Sequence, residues 1–207
     1  MSKKWLYVFF VLLLVAPLTL AACGGNDEES SGDDQNAAGE LSETFESAVG
    51  VSFKYPKGWA ARDGDSGPEL ANSEEVLAQM DEEDRDEIPS GAFVLLIFDP
   101  AQLAQIAGEQ SAKDVLEMFT GFMTDENTTV GEITETKVGE NDAARAGLQE
   151  SQSKSDSFVI VWQDGDTTYL AVGMAREGEL DKYEDTAMKI LESISYNAPT
   201  GDAGGEG

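Results

Sequence analysis

The sequence contains no histidine, a single cysteine (Cys23), and only 13 lysines and arginines against 41 aspartates and glutamates in 207 residues. Each scarcity removes a chemistry. Without histidine there is no Ser-His-Asp or Cys-His nucleophile activation, no His-ligated zinc, and no side chain that titrates near neutrality at its ordinary pKa. One cysteine excludes an internal disulfide. A formal net charge of −28 opposes the phosphate backbone of nucleic acid, whose binding needs clustered Lys and Arg, so no nucleic-acid partner is expected. What is present suffices for folding: 41% of the residues are hydrophobic and 26% charged, within the range of ordinary globular chains. The length predicts one domain.

The nucleotide-binding and catalytic signatures G-x-x-x-x-G-K-[ST], G-x-G-x-x-G and G-x-S-x-G are all missing. Ser151-Gln152-Ser153-Lys154 has the S-x-x-K spacing of penicillin-recognising enzymes. It reads as a polar turn between strands, and no K-T-G accompanies it, so the match is taken as accidental. Among 41 acids, carboxylate pairs arise by chance and do not point to glycosidase chemistry. Asp81-Glu82-Glu83-Asp84-Arg85-Asp86-Glu87 is the densest acidic run, but it lacks the loop glycine and alternating acids of an EF-hand and reads as a solvated loop. Asp63-Gly64-Asp65-Ser66-Gly67 and Asp164-Gly165-Asp166 read as turns, and Asn127-Thr128-Thr129, a formal glycosylation sequon, as a loop. The expectation is a protein that is not an enzyme, with no cofactor and no metal ligand set.

Residues 1–22 read as a secretory leader: Lys3 and Lys4, an apolar run from Trp5 to Leu20, then Ala21 and Ala22 before Cys23. The apolar run is short for a membrane span, contains Pro17 and gives way at once to polar residues. Leu20-Ala21-Ala22-Cys23 resembles the lipobox of bacterial lipoproteins, in which the cysteine is diacylated and becomes the first residue of the mature chain. That resemblance implies a lipidated Cys23 and an extracytoplasmic protein held at the cell membrane by its acyl chains. Cleavage removes two lysines and no acid, leaving 11 basic and 41 acidic residues and a charge of −30. Residues 23–44 are nearly all small and polar and predict a flexible tether, and 199–207 predict a disordered tail, so the folded domain is expected over 45–198.

Inside that domain, Phe45 to Val49 and Val51 to Tyr55 flank Gly50 as a hairpin-like or bulged strand pair. Ala92 to Phe98 and Phe158 to Trp162 are continuous apolar runs rich in β-formers, which predicts central strands covered on both faces. The turn Gln163-Asp164-Gly165-Asp166 leads into Thr167 to Met174 and predicts an antiparallel hairpin. Glu132 to Val138 and Ala143 to Glu150 predict a second strand pair around Gly139-Glu140-Asn141-Asp142. Leu180, Tyr183, Ala187, Ile190, Leu191 and Ile194 share one face of a closing helix. Ser111, with Asp114 in the first turn, predicts a helix whose buried stripe is Val115, Phe119, Phe122 and Met123, and Ser73 caps a weaker helix through Val76, Leu77 and Met80. Together these elements predict an α/β fold, an α/β/α sandwich on a largely antiparallel sheet.

Phe53-Lys54-Tyr55-Pro56-Lys57-Gly58-Trp59 resembles the F-x-Y-P-x-G-W opening of PsbP-like domains, named for the extrinsic PsbP protein of photosystem II. A Ran-binding nuclear-import factor shares that fold. Tyr169-Leu170-Ala171-Val172 and the closing helix resemble the family's last strand and helix. The resemblance implies a PsbP-like fold and a role in binding proteins. The histidine metal ligands of the plant photosystem proteins have no counterpart in a chain without histidine. Phe53, Tyr55, Pro56, Gly58 and Trp59 are expected to be structural, with the Pro56-Gly58 turn directing the Trp59 indole onto the sheet. The functional expectation is a lipid-anchored extracytoplasmic binding or assembly-support protein with a protein partner. The alternative is a small-ligand or divalent-cation-binding lipoprotein.

Overall fold

Strands that are apolar on both faces need cover on both faces, and the chain supplies it. A computed structural model describes residues 40–80 and 87–199. Its centre is an eight-stranded antiparallel sheet built from β3 (Ala60–Gly64), β4 (Gly67–Ala71), β5 (Phe93–Ile97), β6 (Thr128–Val130), β7 (Thr134–Val138), β8 (Asn141–Glu150), β9 (Ser155–Asp164) and β10 (Thr167–Arg176). The strand order is β3-β4-β5-β10-β9-β8-β6, with β7 also pairing β8. A smaller antiparallel sheet, ordered β1-β2-β11, is made by β1 (Leu41–Glu46), β2 (Val51–Pro56) and β11 (Ser195–Tyr196).

The pleat of the central strands sorts their side chains into two cores. Phe93, Leu95 and Ile97, with Phe158, Ile160, Trp162, Tyr169 and Ala171, point to one face. There they meet Val51 and Phe53 of the small sheet and Tyr183, Ala187, Ile190 and Leu191 of helix α4 (Asp181–Glu192). Val159, Val161, Leu170 and Val172 point to the other face, against helices α2 (Pro100–Ala107) and α3 (Ala112–Met123) through Leu103, Ala107, Val115 and Leu116. Helix α1 (Glu74–Gln79) places Leu77 on Ala71 and Val94. The fold is therefore mixed α/β, helical layers on either side of a largely antiparallel sheet, as the apolar periodicity predicts.

Turn chemistry fixes the register. Val138 pairs with Asn141 and Asp164 with Thr167, so Gly139-Glu140 and Gly165-Asp166 are two-residue hairpin turns, with Gly139 and Gly165 at φ 60 and 57. Gly50 is held at φ +85 and pressed so closely on the Asn197 carbonyl that a Cβ would lie 2.0 Å from that oxygen. Only glycine permits the β11 end of the chain to lie there.

Several boundaries and elements differ from expectation. β1 begins at Leu41, inside the segment predicted as tether, because Phe45 reaches the Phe53 ring (5.5 Å) and pulls its strand into register with β2. The β3–β4 hairpin, α2, β6 and β11 add to the predicted elements. The sequon residues Thr128 and Thr129 stand on β6, paired with Glu150 and Gln149, where a loop was expected.

The largest correction concerns α3. Ser111 caps it as predicted, and the cap is reciprocal: the Asp114 N–H donates to Ser111 Oγ (3.2 Å) and the Ser111 N–H to Asp114 Oδ2 (3.3 Å). Its predicted buried stripe does not run the full length. Val115 and Leu116 are buried and Phe119 sits edge-on to Phe98 at 5.4 Å, but Phe122 is 72% exposed and Met123 36%. At 100° per residue Met123 projects in nearly the direction of Leu116, so rotation of the helix does not explain its exposure. The last turn extends past the surface that covers the rest of the helix.

Candidate functional site

The F-x-Y-P-x-G-W segment does local structural work. β2 buries Phe53 and packs Tyr55 against the main core, with ring centres 6.2 Å apart. Pro56 accepts the Trp59 N–H at 3.2 Å, and Gly58 takes the positive φ (+88) that closes the turn. The indole of Trp59 then lies 5.7 Å from the Phe93 ring, which also stacks on Tyr183 at 5.0 Å. Phe53, Tyr55 and Trp59 thus pack into the core between the small sheet and the central one, and Pro56 and Gly58 shape the turn that joins them.

One acid of the first acidic turn and one of the acidic run are engaged in contacts within the fold. Asp63 takes hydrogen bonds from the Ser47 hydroxyl and from the Ala48 N–H (3.2 Å), tying the β1–β2 turn to β3. Glu87, the described end of the acidic run, pairs with Lys154 and with Arg176 (3.5 Å), and the Lys154 hydrogen bond is the main cause of its lowered pKa. Residues 81–86 and Cys23 lie outside the described residues. Lys154, the lysine of the accidental S-x-x-K match, is therefore spent on an ion pair at the β8–β9 turn. Among the described residues no three acids or thiols converge in a way that could hold a metal ion.

One carboxylate, Glu179, organises a loop. It accepts hydrogen bonds from the Gly91 N–H (2.6 Å), the Ser90 hydroxyl (3.0 Å) and Lys182 (3.0 Å), while the Tyr183 hydroxyl donates to the Gly91 carbonyl (2.6 Å). These donors, the Gly91 N–H foremost, hold the Glu179 carboxyl below its ordinary value of 4.5. A carboxyl with a depressed folded pKa stabilises the fold above its unfolded pKa, and that contribution disappears as pH falls through the folded value. Replacing Glu179 by Ala is accordingly expected to lower the melting temperature at pH 7 and to leave a much smaller difference at pH 3. Equal differences at both pH values in calorimetric melts contradict this role.

The exposed large apolar side chains among the described residues lie on the helical layer. Phe122 and Met123 end α3, and Ile106 on α2 is 60% exposed. Immediately after them Asp125 closes a polar turn, accepting from the Asn127 and Thr128 N–H groups at 2.8 and 2.9 Å, and leaves α3 for β6. The resulting surface combines exposed apolar side chains with the acids Asp125 and Glu126. Sequence reasoning missed it, because Phe122 and Met123 continue the apolar period of α3 without interruption. It also missed α2, although Asp99-Pro100 carried the signal: Asp99 Oδ1 accepts from Ala101 N–H (2.8 Å) as N-cap and Pro100 occupies the first turn.

Comparison with solved structures finds a likeness to cyanobacterial PsbP (CyanoP) from Synechocystis sp. PCC 6803, with 14% identity, a TM-score of 0.47, and coverage of 86% of this chain and 99% of that one. A second likeness is to a protein from Bacteroides thetaiotaomicron VPI-5482, with 16% identity and a TM-score of 0.44 over 77% of this chain and 50% of that one. No family model matches the chain. No curated protein is significantly similar to it.

Proposed function

We propose that this chain is a non-catalytic, lipid-anchored extracytoplasmic domain of PsbP-like type that binds a protein or supports assembly of a membrane complex. The Leu20-Ala21-Ala22-Cys23 lipobox supports the anchor and the location. The F-x-Y-P-x-G-W segment supports the family, whose members mostly act by binding proteins. The observation that carries the binding role is Phe122, an aromatic side chain 72% exposed at the end of a helical stripe that is buried at Val115 and Leu116. Large exposed apolar side chains beside acids suit a protein interface with an apolar anchor and a polar rim. A partner that offers basic residues around an apolar contact complements both the local acids and the net charge of −28.

Because Phe122 is largely exposed, Phe122→Ser is expected to leave stability within about 0.5 kcal/mol. The same change removes the protein that crosslinks to the native chain in cells. Retention of that crosslinked protein at native yield in Phe122→Ser contradicts a binding surface at the end of α3.

A further inference from the structure

On the opposite face of the sheet from α3, the cover supplied by α4 stops short. Phe158 stands between two glycines, paired with Gly173 on β10 and Gly147 on β8. Its ring leans over Gly173, where a Cβ would lie 2.3 Å from the ring. Gly147 is left bare: the nearest atom to a Cβ there is the Ser157 carbonyl oxygen, at 3.9 Å. Bare backbone at Gly147 and at its hydrogen-bonded neighbour Gly131 (2.8 Å) floors an open cleft of about 320 Å³. Leu180, the N-cap of α4, and Asp181 in its first turn line the cleft together with Gln149, Asp156 and Gly178.

The polar lining selects charge. Its residues include two carboxylates, Asp156 and Asp181, and neither Lys nor Arg. The cations nearby are committed elsewhere: Arg145 to Glu184 at 3.0 Å and Lys182 to Glu179 at 3.0 Å. Asp156 is held in place by the Gly178 N–H (2.7 Å) and Gln149 Nε2 (3.2 Å), and it has no ion-pair partner among the described residues. Asp181 is exposed and likewise has none among the described residues. Leu180 offers apolar surface for a methylene stem beside these acceptors.

We propose that this cleft binds an organic cation, an alkyl guanidinium or alkyl ammonium group, with its stem along Leu180 above the Gly131-Gly147 floor and its head between Asp156 and Asp181. This goes beyond the protein-binding role assigned to the end of α3 and stands independently of it. The group belongs either to a free small molecule or to an arginine or lysine side chain of a protein, and both present the same chemistry to the cleft.

The test is an amide chemical-shift titration of the full mature chain in detergent micelles, with N-acetyl-arginine amide as the probe and its neutral counterpart N-acetyl-citrulline amide as the control. Saturable shifts centred on Gly131, Gly147 and Gly178 with the cation alone are expected. Asp181→Asn should weaken binding about fivefold. Gly147→Val fills the floor at a position where the Cβ meets nothing closer than 3.9 Å. It should therefore abolish the shifts while keeping the melting temperature at or above the native value. Tighter binding of a Gly-Arg-Gly peptide than of the amide supports a protein-borne cation, and equal binding supports a free one. Shifts of equal size with citrulline, no saturable shift with arginine, or undiminished binding by Gly147→Val overturn the proposal. Phe122→Ser leaves the titration unchanged, which separates failure of this site from failure of the α3 surface.

Discussion

Replacing Cys23 by Ala moves the protein from the membrane fraction to the soluble fraction and abolishes incorporation of a palmitate label. The expectation rests on two physical points. Removal of the proposed leader would leave a charge of −30 by residue count, so the protein surface would be repelled by anionic headgroups and contribute no attachment of its own. A single acyl chain holds a protein only marginally, whereas the two or three chains of a lipoprotein reinforce one another. On the proposed anchoring, attachment is an all-or-none property of one thiol. Among the described residues no helix is long and apolar enough to cross a membrane. A Cys23→Ala protein that still sediments with membranes and resists detergent extraction contradicts the leader assignment and, with it, the anchored location.

The second large effect is in the core. Gly173→Val forces a side chain into a space already taken by Phe158, whose ring atoms lie 2.3 and 2.4 Å from the Cβ position. The ring is buried, and its face is closed by the Arg145 guanidinium, 5.3 Å from the ring centre and tied to Glu184 on α4 at 3.0 Å. The direction left open is over Gly147, where leaning would forfeit the packing the ring makes now. Overpacking of this kind costs about 3 kcal/mol, a large share of a typical net stability of about 5–15 kcal/mol. For a domain of this size the melting temperature should fall by roughly 8 °C. Phe158→Leu relieves the clash, so in the Gly173→Val background it should cost less than it does alone. That non-additivity is the signature of direct contact, and additive losses in a double-mutant cycle contradict it.

How far the sequence was legible follows from which signals are local. The two-faced strands β5, β9 and β10 were readable because an uninterrupted apolar run of that length has few other solutions. The tight turns were readable because Gly139 and Gly165 supply positive φ at hairpin positions. The α3 cap was readable because Ser111 and Asp114 sit three residues apart and satisfy each other. The exposure of Phe122 was not readable. It depends on where α3 ends relative to the sheet beneath it, a tertiary fact that periodicity along one helix does not encode. The β3–β4 hairpin escaped for a related reason: Ala60-Ala61-Arg62-Asp63-Gly64 has little alternation, and the strand is held by pairing to β4 and by the Arg62–Glu69 ion pair at 2.7 Å. The cleft at Gly147 was hidden for the opposite reason. Two glycines flank Phe158 across the ladder, and only the three-dimensional lean of the ring decides which stays bare.

The measurement that bears most directly on the binding role is an in-cell crosslink of the tagged, lipidated protein, followed by solubilisation and identification of what co-purifies. One stoichiometric protein partner, present with the native chain and lost with Phe122→Ser, is the predicted result. Recovery of background proteins alone, the same for native and Phe122→Ser chains, contradicts it.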